Sequence, residues 1–340
     1  MKDIWTVKYR PQTLDTIVGN EQAVTTILQL VSSNNLPHLV LHGPGNSGKS
    51  SVAFALARQL YGQEWERNLT YFNASDFFDQ GKRYLVRDKR FVRIIGTDEP
   101  SKIRKSVIAI FKQIVNEYAS VAPIDHDYKI IFIDNAEALN SDAQHALRRI
   151  MEKYTTTCRF ILSTTQPSKL IAPLRSRGLQ LFFTHVSDHK LEGFIRNVIK
   201  TEELSISDDG MDALVYHSKG NVAKALITLQ LASLQAKETS IGPEIIYEIV
   251  LSETPEDITA LFEAASSHDV MAARKIIDKL LIEDGLTGAE ILEKLYEVAI
   301  QSNEPEADIA RSVIKMAQTD MNLTEAANDR IHLEALIADF

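Results

Sequence analysis

The residues with the clearest chemical meaning in this 340-residue chain form one glycine-rich turn, Gly43-Pro44-Gly45-Asn46-Ser47-Gly48-Lys49-Ser50. The octapeptide matches the pattern G-x-x-x-x-G-K-[ST] in full. Its glycines let backbone N–H groups turn inward around phosphate oxygens, Lys49 reaches the β- and γ-phosphates, and Ser50 offers its hydroxyl to Mg²⁺. The turn therefore predicts a binding site for the phosphates of ATP with Mg²⁺.

An apolar run that ends in an acid supplies the expected second half of such a site. The run 130–134 reads IIFID, and its last residue, Asp134, is predicted to hold Mg²⁺ through water. Many ATPases place a glutamate directly afterwards, whereas this chain has Asn135. An amide cannot accept a proton, so general-base assistance worth roughly 10²–10⁴-fold in rate is lost. Glu137 would replace it only if the chain turned sharply, which we do not expect.

Short apolar runs alternate with helical patterns through the first half of the chain. Strands are predicted at 39–41, 69–72, 129–134, 159–163 and 179–183. This alternation predicts a parallel sheet with helices on both faces. One helix is expected over 49–60. Another starts at Ser141, which forms an S-x-x-Q capping box with Gln144.

After Phe183 the strand signal fades and only helical patterns follow. We therefore expect three domains: a P-loop ATP-binding domain over 1–185, a small helical domain over 186–238 and a second helical domain over 239–340. The fold class is α/β followed by two all-helical parts.

The composition is that of a soluble globular protein, with 44% apolar and 24% charged residues. No run approaches the roughly 18 apolar residues that span a bilayer, so we expect no membrane association. The one cysteine, Cys158, suits a reducing cytosolic or nuclear compartment. His185 and His189 are four residues apart, but no thiol or carboxylate accompanies them in a metal-binding pattern.

The net charge of −9 hides an uneven distribution. Residues 241–340 carry 7 basic and 21 acidic residues, whereas residues 1–240 carry 30 basic and 25 acidic residues. Such asymmetry can conceal a nucleic-acid surface on the basic part. The alternative is that the last third is simply well solvated, and charge alone does not decide between the two.

Taken together, the motifs resemble one family, the small subunits of replication factor C, which is the archaeal and eukaryotic clamp loader of the AAA+ class. The resemblance covers most of residues 1–235 and is weaker over the last third. Besides the P-loop, it rests on these stretches: WTVKYRP (5–11), LD (14–15), VGN (18–20), NASD (73–76), DNAE (134–137), DAQHALRR (142–149), SR (176–177) and GN (220–221).

The resemblance implies an AAA+ module made of an ATP-binding domain, a helical lid and a C-terminal helical collar that joins subunits. It implies ATP and Mg²⁺ as cofactors. The implied partners are the other clamp-loader subunits of a hetero-oligomeric, pentameric ring, a sliding clamp and primer-template DNA. The compartment would be the cytoplasm of an archaeon or the nucleus of a eukaryote.

Site residues follow from the same resemblance. Tyr9, Arg10, Val18 and Gly19 match positions that lie against the base and ribose of the nucleotide. Arg177 matches an arginine finger that reaches into a neighbouring subunit, an effect worth about 10³–10⁵ in some NTPases. The alternative for Arg177 is a surface arginine in the loop before a strand.

The departures from the family cluster on hydrolysis. Asn135 replaces the family's glutamate, and Thr165 replaces the asparagine that positions the water. Ala223 replaces the lid arginine that senses the γ-phosphate, with Lys224 beside it as a partial substitute. Asn46 replaces a glycine in a turn that prefers φ > 0, a conformation that asparagine tolerates.

We therefore expect a subunit that binds ATP, hydrolyses it weakly and supplies Arg177 to its neighbour. Slow turnover by Asn135 and Thr165 remains an alternative, as does a non-catalytic nucleotide-bound scaffold. Another AAA+ DNA motor, such as a branch-migration helicase or an origin-binding initiator, is a third alternative. The acidic last third offers an initiator no basic recognition helix.

An insert at about 77–97 also departs from the family. A basic segment with aromatic residues, here Tyr84 and Phe91, can contact phosphates and stack on bases. A charged surface hairpin and a clamp contact are the alternatives. The basic residues over 82–105 are Lys82, Arg83, Arg87, Lys89, Arg90, Arg93, Lys102, Arg104 and Lys105, against Asp88, Asp98 and Glu99.

Overall fold

The computed structural model describes residues 4–340 except 88, 122, 124–125, 237–239, 254–255, 303–304, 325 and 327. The described chain forms two compact units, Met1–Ile241 and Gly242–Phe340. The predicted boundary at 238/239 lies outside the described residues, and a separate lid from 186 onward remains a prediction.

Five strands alternate with helices in the first unit, and helices alone follow. The elements are α1 (Trp5–Lys8), α2 (Glu21–Ser32), β1 (Leu39–His42), α3 (Lys49–Tyr61), α4 (Trp65–Asn68), β2 (Leu69–Asn73), α5 (Ala74–Asp79), α6 (Lys82–Leu85), α7 (Lys89–Ile95), α8 (Val107–Ser120), β3 (Lys129–Asp134), α9 (Ser141–Lys153), β4 (Cys158–Thr164), α10 (Ala172–Arg175), β5 (Leu179–Phe182), α11 (Asp188–Thr201), α12 (Asp208–Ser218) and α13 (Val222–Ala236).

The sheet has the order β2-β3-β4-β1-β5, and every neighbouring pair is parallel. Strand β1, which leads into the P-loop, therefore lies between β4 and β5. Because all strands run the same way, their carboxyl ends meet at one edge of the sheet, where α/β proteins bind ligands. The predicted fold class is confirmed.

Both faces of this sheet are covered, which explains the continuous apolar runs. In β3, Ile131 and Ile133 pack into one core and Ile130 and Phe132 into the other. All four are essentially fully buried. Successive residues of a strand point to opposite faces, so a strand buried on both sides must be apolar throughout. The second core also holds the apolar face of α3.

The predicted capping box at the start of α9 is wrong by one residue. The cap is Asn140, whose Oδ1 accepts a hydrogen bond from the backbone N–H of Ala143 at 2.9 Å. Asparagine is among the best N-cap residues, so it takes the position ahead of Ser141. Gln144 is buried instead, and its amide nitrogen donates to the carbonyls of Leu139 and Lys169 at 2.8 and 3.0 Å.

The basic insert is helical, so the hairpin alternative is wrong. Helices α5, α6 and α7 bury Phe77, Leu85 and Phe91 in the core on one side of the sheet. The ring of Phe91 stacks on that of Phe72 at 5.6 Å with an interplanar angle of 5°. Phe91 is fully buried and therefore not available for base stacking. Asp88 lies outside the described residues.

The second unit is helical and has a core of its own. Its elements are α14 (Pro243–Glu253), α15 (Glu256–Ser266), α16 (Val270–Ile282), α17 (Gly288–Gln301), α18 (Glu306–Leu323) and α19 (Asp329–Asp339). Residues such as Ile277, Leu295 and Leu336 are buried among these helices. In the part of the chain that the structure describes, no helix is long and apolar enough to cross a membrane.

Candidate nucleotide-binding site

The P-loop lies at the carboxyl end of β1 and leads into α3, which begins at Lys49. A Cβ at Gly43 would lie 2.1 Å from the carbonyl oxygen of Phe183, so only glycine fits there. Gly48 has φ = 93°, and Asn46 has φ = 54° in the left-handed region expected for the glycine it replaces. The turn therefore adopts the compact form that presents N–H groups to an anion.

Lys49 is held at the centre of this turn. Its ammonium group donates to the carbonyls of Gly43 and Pro44 at 2.9 and 2.5 Å and to the hydroxyl of Ser47 at 3.3 Å. Burial lowers the pKa of Lys49, and the negative charges of Asp134 and Glu137 oppose that shift. The ammonium is therefore positioned where a phosphate oxygen can replace a carbonyl as its partner.

Ser50 and Asp134 meet directly, although they are 84 residues apart. The Ser50 hydroxyl donates to Asp134 Oδ2 at 2.7 Å. Mg²⁺ in nucleotide sites is held by one or two protein oxygens together with phosphates and water. These two adjacent oxygens beside the P-loop fit that requirement, so they would hold the ion and let it neutralise phosphate charge.

Asn135 turns the chain sharply after β3. It has φ = 51° and ψ = 46°, and the short 3₁₀ helix Ala136–Ala138 follows. Its side-chain amide donates to Asn73 Oδ1 at 3.2 Å. Left-handed backbone disfavours most residues but costs asparagine little. The turn that we did not expect from the sequence is therefore present.

This turn brings Glu137 onto Thr165, at the end of the adjacent strand β4. Glu137 Oε1 accepts hydrogen bonds from the Thr165 hydroxyl at 2.6 Å and from its backbone N–H at 3.2 Å. Burial acts to raise the pKa of Glu137, but hydrogen bonding by Thr165, by Thr164 and by the backbone at Glu137 itself together outweighs it and holds the pKa below its ordinary value. The site thus contains an ionised carboxylate that the sequence analysis had considered only as a remote candidate for the general base.

A cavity of about 450 Å³ opens at this edge of the sheet. It brings together most of the predicted site residues, namely Tyr9, Arg10, Val18, Gly45, Asn46, Ser47, Gly48, Lys49, Ser50, Asp134, Asn135 and Thr165. Among the described residues, four others predicted to bind nucleotide do not line the cavity, namely Gly19, Gly43, Pro44 and Lys224.

Several further lining residues are apolar or small and had been assigned no contact with a ligand, although Thr6 and Pro11 lie in the quoted stretch 5–11 and Ala223 was noted as a departure from the family. They include Thr6, Pro11, Ile17, Ser51, Ser163, Val186, Phe194, Val222, Ala223 and Leu226. An apolar end beside a phosphate cradle suits the flat face of a nucleotide base. The weak signal for it in the sequence was the run of apolar residues that opens α13.

The N-terminal segment around α1 is hydrogen-bonded to the helices that follow β5. The Tyr9 hydroxyl is hydrogen-bonded to the carboxylate of Glu202, which also pairs with Lys8 at 2.6 Å. Burial and the contact with Glu202 raise the pKa of Tyr9. The backbone N–H of Trp5 donates to Gln230 Oε1 at 3.1 Å. These bonds fix the segment that carries Tyr9 and Arg10 beside the cavity.

Arg177 does not belong to this cavity. It follows α10, where its guanidinium pairs with the carboxylate of Glu152 and donates to the carbonyl of Pro173 at 2.6 Å. Arg148 binds the same carboxylate at 3.2 Å. The structure therefore separates Arg177 from the other predicted site residues of its own chain.

A P-loop after an inner strand of a parallel sheet, here β1, with an acid at the end of β3 two strands away, defines a P-loop ATPase fold. Residues 39–185 match the ATPase family associated with various cellular activities (AAA), and residues 253–339 match the replication factor C C-terminal domain.

The chain belongs to the family of replication factor C small subunits. It is 36% identical over 339 residues to the replication factor C small subunit of Methanocella arvoryzae, a match that covers 99% of this chain and 96% of that protein. It is 35% identical over 337 residues to the replication factor C small subunit of Archaeoglobus fulgidus, covering 99% of this chain and 96% of that protein.

Solved structures of RuvB from Thermotoga maritima share the fold. One RuvB variant aligns with a TM-score of 0.54 at 16% identity and covers 84% of this chain and 85% of that chain. RuvB described as a Holliday junction branch migration motor aligns with a TM-score of 0.52, also at 16% identity and with the same coverage. At this level of identity the likeness concerns the fold alone.

Proposed function

We propose that this chain is a clamp-loader subunit that uses ATP, within a five-membered hetero-oligomeric ring, to load a sliding clamp onto primer-template DNA. The observation that carries this proposal is the full-length match to replication factor C small subunits, combined with a complete phosphate cradle. The archaeal relatives favour a cytoplasmic setting.

The subunit binds ATP with Mg²⁺ but hydrolyses it weakly. Lys49, Ser50 and Asp134 supply the phosphate and metal contacts. Asn135 lines the cavity where a general base is needed, and its amide cannot take a proton from water. Ala223 also lines the cavity and offers no charge to a γ-phosphate.

Arg177 serves the neighbouring subunit. Its side chain is 28% exposed and lies outside the cavity of its own chain, as a finger that acts on another subunit must. Arginine suits this role because its planar guanidinium can bind two phosphate oxygens at once. A neighbour that receives Arg177 gains positive charge where negative charge develops during phosphoryl transfer.

The basic insert would contact the DNA backbone through its exposed side chains. Arg83 on α6, Arg87 between α6 and α7, and Lys89 and Arg93 on α7 are all exposed. Contacts to phosphates position a protein on DNA without reading its sequence, which suits a clamp loader. The RuvB likeness does not favour a branch-migration motor, because it extends only to the fold.

The test is the steady-state ATPase rate of the reconstituted ring with clamp and primed DNA. Asn135→Glu restores a general base, and we expect a gain of about tenfold or more at this site. Arg177→Ala removes the finger, and we expect a loss of about 10²-fold or more at the neighbouring site. Arg148→Ala, which removes the other partner of Glu152, is the matched control.

Two results would contradict the proposal in different ways. If Arg177→Ala behaves like Arg148→Ala, Arg177 is a surface residue and the finger is excluded. If Asn135→Glu also changes nothing while the ring still loads the clamp, the subunit is a non-catalytic scaffold. Because glutamate in left-handed backbone is strained, the melting temperature of Asn135→Glu must be measured alongside its rate.

A further inference from the structure

The pair formed by Glu137 and Thr165 fixes the direction of one hydroxyl proton at the candidate nucleotide site. An ionised carboxylate has no proton to give, so it can only accept hydrogen bonds. The 2.6 Å contact between the Thr165 hydroxyl and Glu137 Oε1 therefore uses the one proton that the hydroxyl has. Thr165 lines the cavity, and only the lone pairs of its oxygen remain to face a ligand there.

The surroundings of Glu137 keep it ionised and in place. Its Oε1 also accepts from the backbone N–H of Thr165 at 3.2 Å, and the positive charge of Lys49 is close enough to interact with it. Its other oxygen, Oε2, is buried without a hydrogen-bond partner among the residues that the structure describes, and this burial acts against ionisation without outweighing the hydrogen bonds. The 3₁₀ turn that follows Asn135 fixes the backbone on which Glu137 stands.

A γ-phosphate beside the lone pairs of the Thr165 hydroxyl and the carboxylate of Glu137 would meet only acceptors and negative charge from these two residues. Its terminal oxygens are hydrogen-bond acceptors with negative charge, so they need donors and positive charge around them. The Thr165 hydroxyl can accept a hydrogen bond from water but cannot donate one to a phosphate while Glu137 holds its proton. The α- and β-phosphates do not depend on this contact, because the P-loop backbone and Lys49 bind them.

We propose that Glu137 is a specificity-determining residue that, through the Thr165 hydroxyl, makes this site bind a nucleoside diphosphate more tightly than the triphosphate. The inference rests on the proposed nucleotide-binding function and deepens it. Once ADP has bound, the subunit would retain it while the other sites in the ring exchange ADP for ATP. Glu137 acts on the ligand through Thr165, so it is a positioning residue and not a catalytic one.

The experiment measures the dissociation constants of ADP and of the slowly hydrolysed analogue ATPγS on the full-length chain with Mg²⁺. A fluorescent ADP is displaced by each nucleotide in turn. We expect the wild-type chain to bind ADP more tightly. Glu137→Gln removes the charge and leaves a neutral amide oxygen, a weaker acceptor that holds the Thr165 hydroxyl proton less tightly. We expect the ATPγS-to-ADP ratio of dissociation constants to fall about tenfold, mainly through tighter ATPγS binding.

Three further variants make the test specific. Thr165→Asn supplies a second donor that Glu137 does not occupy, and we expect it to shift the ratio in the same direction. In a Thr165→Val background, which lacks the hydroxyl, Glu137→Gln should have little further effect. Glu117→Gln changes an exposed carboxylate on α8 away from the cavity and should leave the ratio unchanged.

The outcomes separate this inference from the function on which it rests. An unchanged ratio in both Glu137→Gln and Thr165→Asn, with tight binding retained, overturns the inference alone. A full effect of Glu137→Gln in the Thr165→Val background overturns the route through the hydroxyl. If the wild-type chain binds neither nucleotide, the nucleotide-binding function fails and this inference fails with it.

Discussion

The carboxylate of Glu152 binds the guanidinium groups of both Arg177 and Arg148. Glu152 and Arg148 lie one turn apart on α9, whereas Arg177 comes from the loop after α10. All three side chains are partly exposed, so solvent weakens each pair. The arrangement holds Arg177 against its own chain by contacts that a stronger anion could replace.

Replacing Glu152 should therefore release Arg177 rather than disable it. Exposed ion pairs are worth roughly 0.2–1 kcal/mol, so Glu152→Gln should raise the finger-dependent ATPase rate of the assembled ring about two- to fivefold. The measurement is the steady-state rate with clamp and primed DNA. Glu117→Gln is the control, since Glu117 is an exposed carboxylate on another helix. A lower rate for Glu152→Gln would show instead that Glu152 orients Arg177 toward the nucleotide site of the neighbouring subunit.

Lys49→Ala should abolish nucleotide binding by the isolated chain. The ammonium is almost fully buried and is hydrogen-bonded to carbonyl groups of the P-loop itself, so an alanine leaves that position without a positive charge. We expect the affinity for ADP to fall at least about 10²-fold, because charge-assisted hydrogen bonds to phosphate are lost. Isothermal titration calorimetry measures this directly. Lys275→Ala, at an exposed position of α16, should bind like the wild type.

His38 should make the first unit less stable in mild acid. Its Nδ1 accepts a hydrogen bond from the backbone N–H of Phe160 at 3.0 Å, and burial together with the charge of Arg159 lowers its pKa from 6.5 to about 4. Between these values the unfolded chain binds a proton that the folded chain does not, so stability falls as pH falls. The full effect is about 3 kcal/mol, lost between pH 6.5 and 4.

Urea unfolding followed by tryptophan fluorescence tests this, because both tryptophans, Trp5 and Trp65, lie in the first unit. His38→Asn keeps an acceptor near the position of Nδ1 but does not titrate, so the fall in stability between pH 6.5 and 5 should be smaller in this variant. His145→Asn, at an exposed histidine of α9, should retain the pH dependence of the wild type. Equal pH dependence in both variants would exclude His38 as its source.

Phe91→Ala should destabilise the first unit, because Phe91 is a core residue in spite of its basic surroundings. Deleting a buried phenylalanine ring typically costs about 3–5 kcal/mol, and the stacked contact with Phe72 is lost as well. The free energy of unfolding in urea measures the loss. Arg93→Ala, on the same helix but exposed, should leave stability within about 0.5 kcal/mol. A weaker affinity for primed DNA in Arg93→Ala alone would support the proposed phosphate contact.

The parts of the structure that could be predicted are those encoded in short stretches of sequence. The strands around Leu41 and Phe132 were found because a strand buried on both faces must be continuously apolar. The P-loop was found because its glycines and Lys49 stand at fixed spacing. The cap of α9 was misplaced because two good capping residues, Asn140 and Ser141, are adjacent.

What could not be predicted depends on contacts between distant residues. The insert was interpreted from its many basic residues, so Phe91 was considered for stacking on bases and not for a place in the core. The contact between Glu137 and Thr165 requires a left-handed residue at Asn135 and the pairing of β3 with β4, and neither can be read from the intervening sequence. The apolar end of the cavity is assembled from segments around Pro11, Val186 and Leu226 that share no motif.

The position of β1 in the sheet also sets the order in which the chain can fold as it leaves the ribosome. Leu39 pairs with Ile161 of β4 and with Leu179 of β5, so its two neighbours are synthesised more than a hundred residues later. Until β4 and β5 have been synthesised, the apolar strand β1 has no neighbouring strand to pair with. Unpaired strand edges of this kind promote aggregation. A nascent chain that stalls before β4 therefore exposes both edges of the strand that carries the nucleotide site, and chaperones have an unpaired apolar strand to protect at this stage of synthesis.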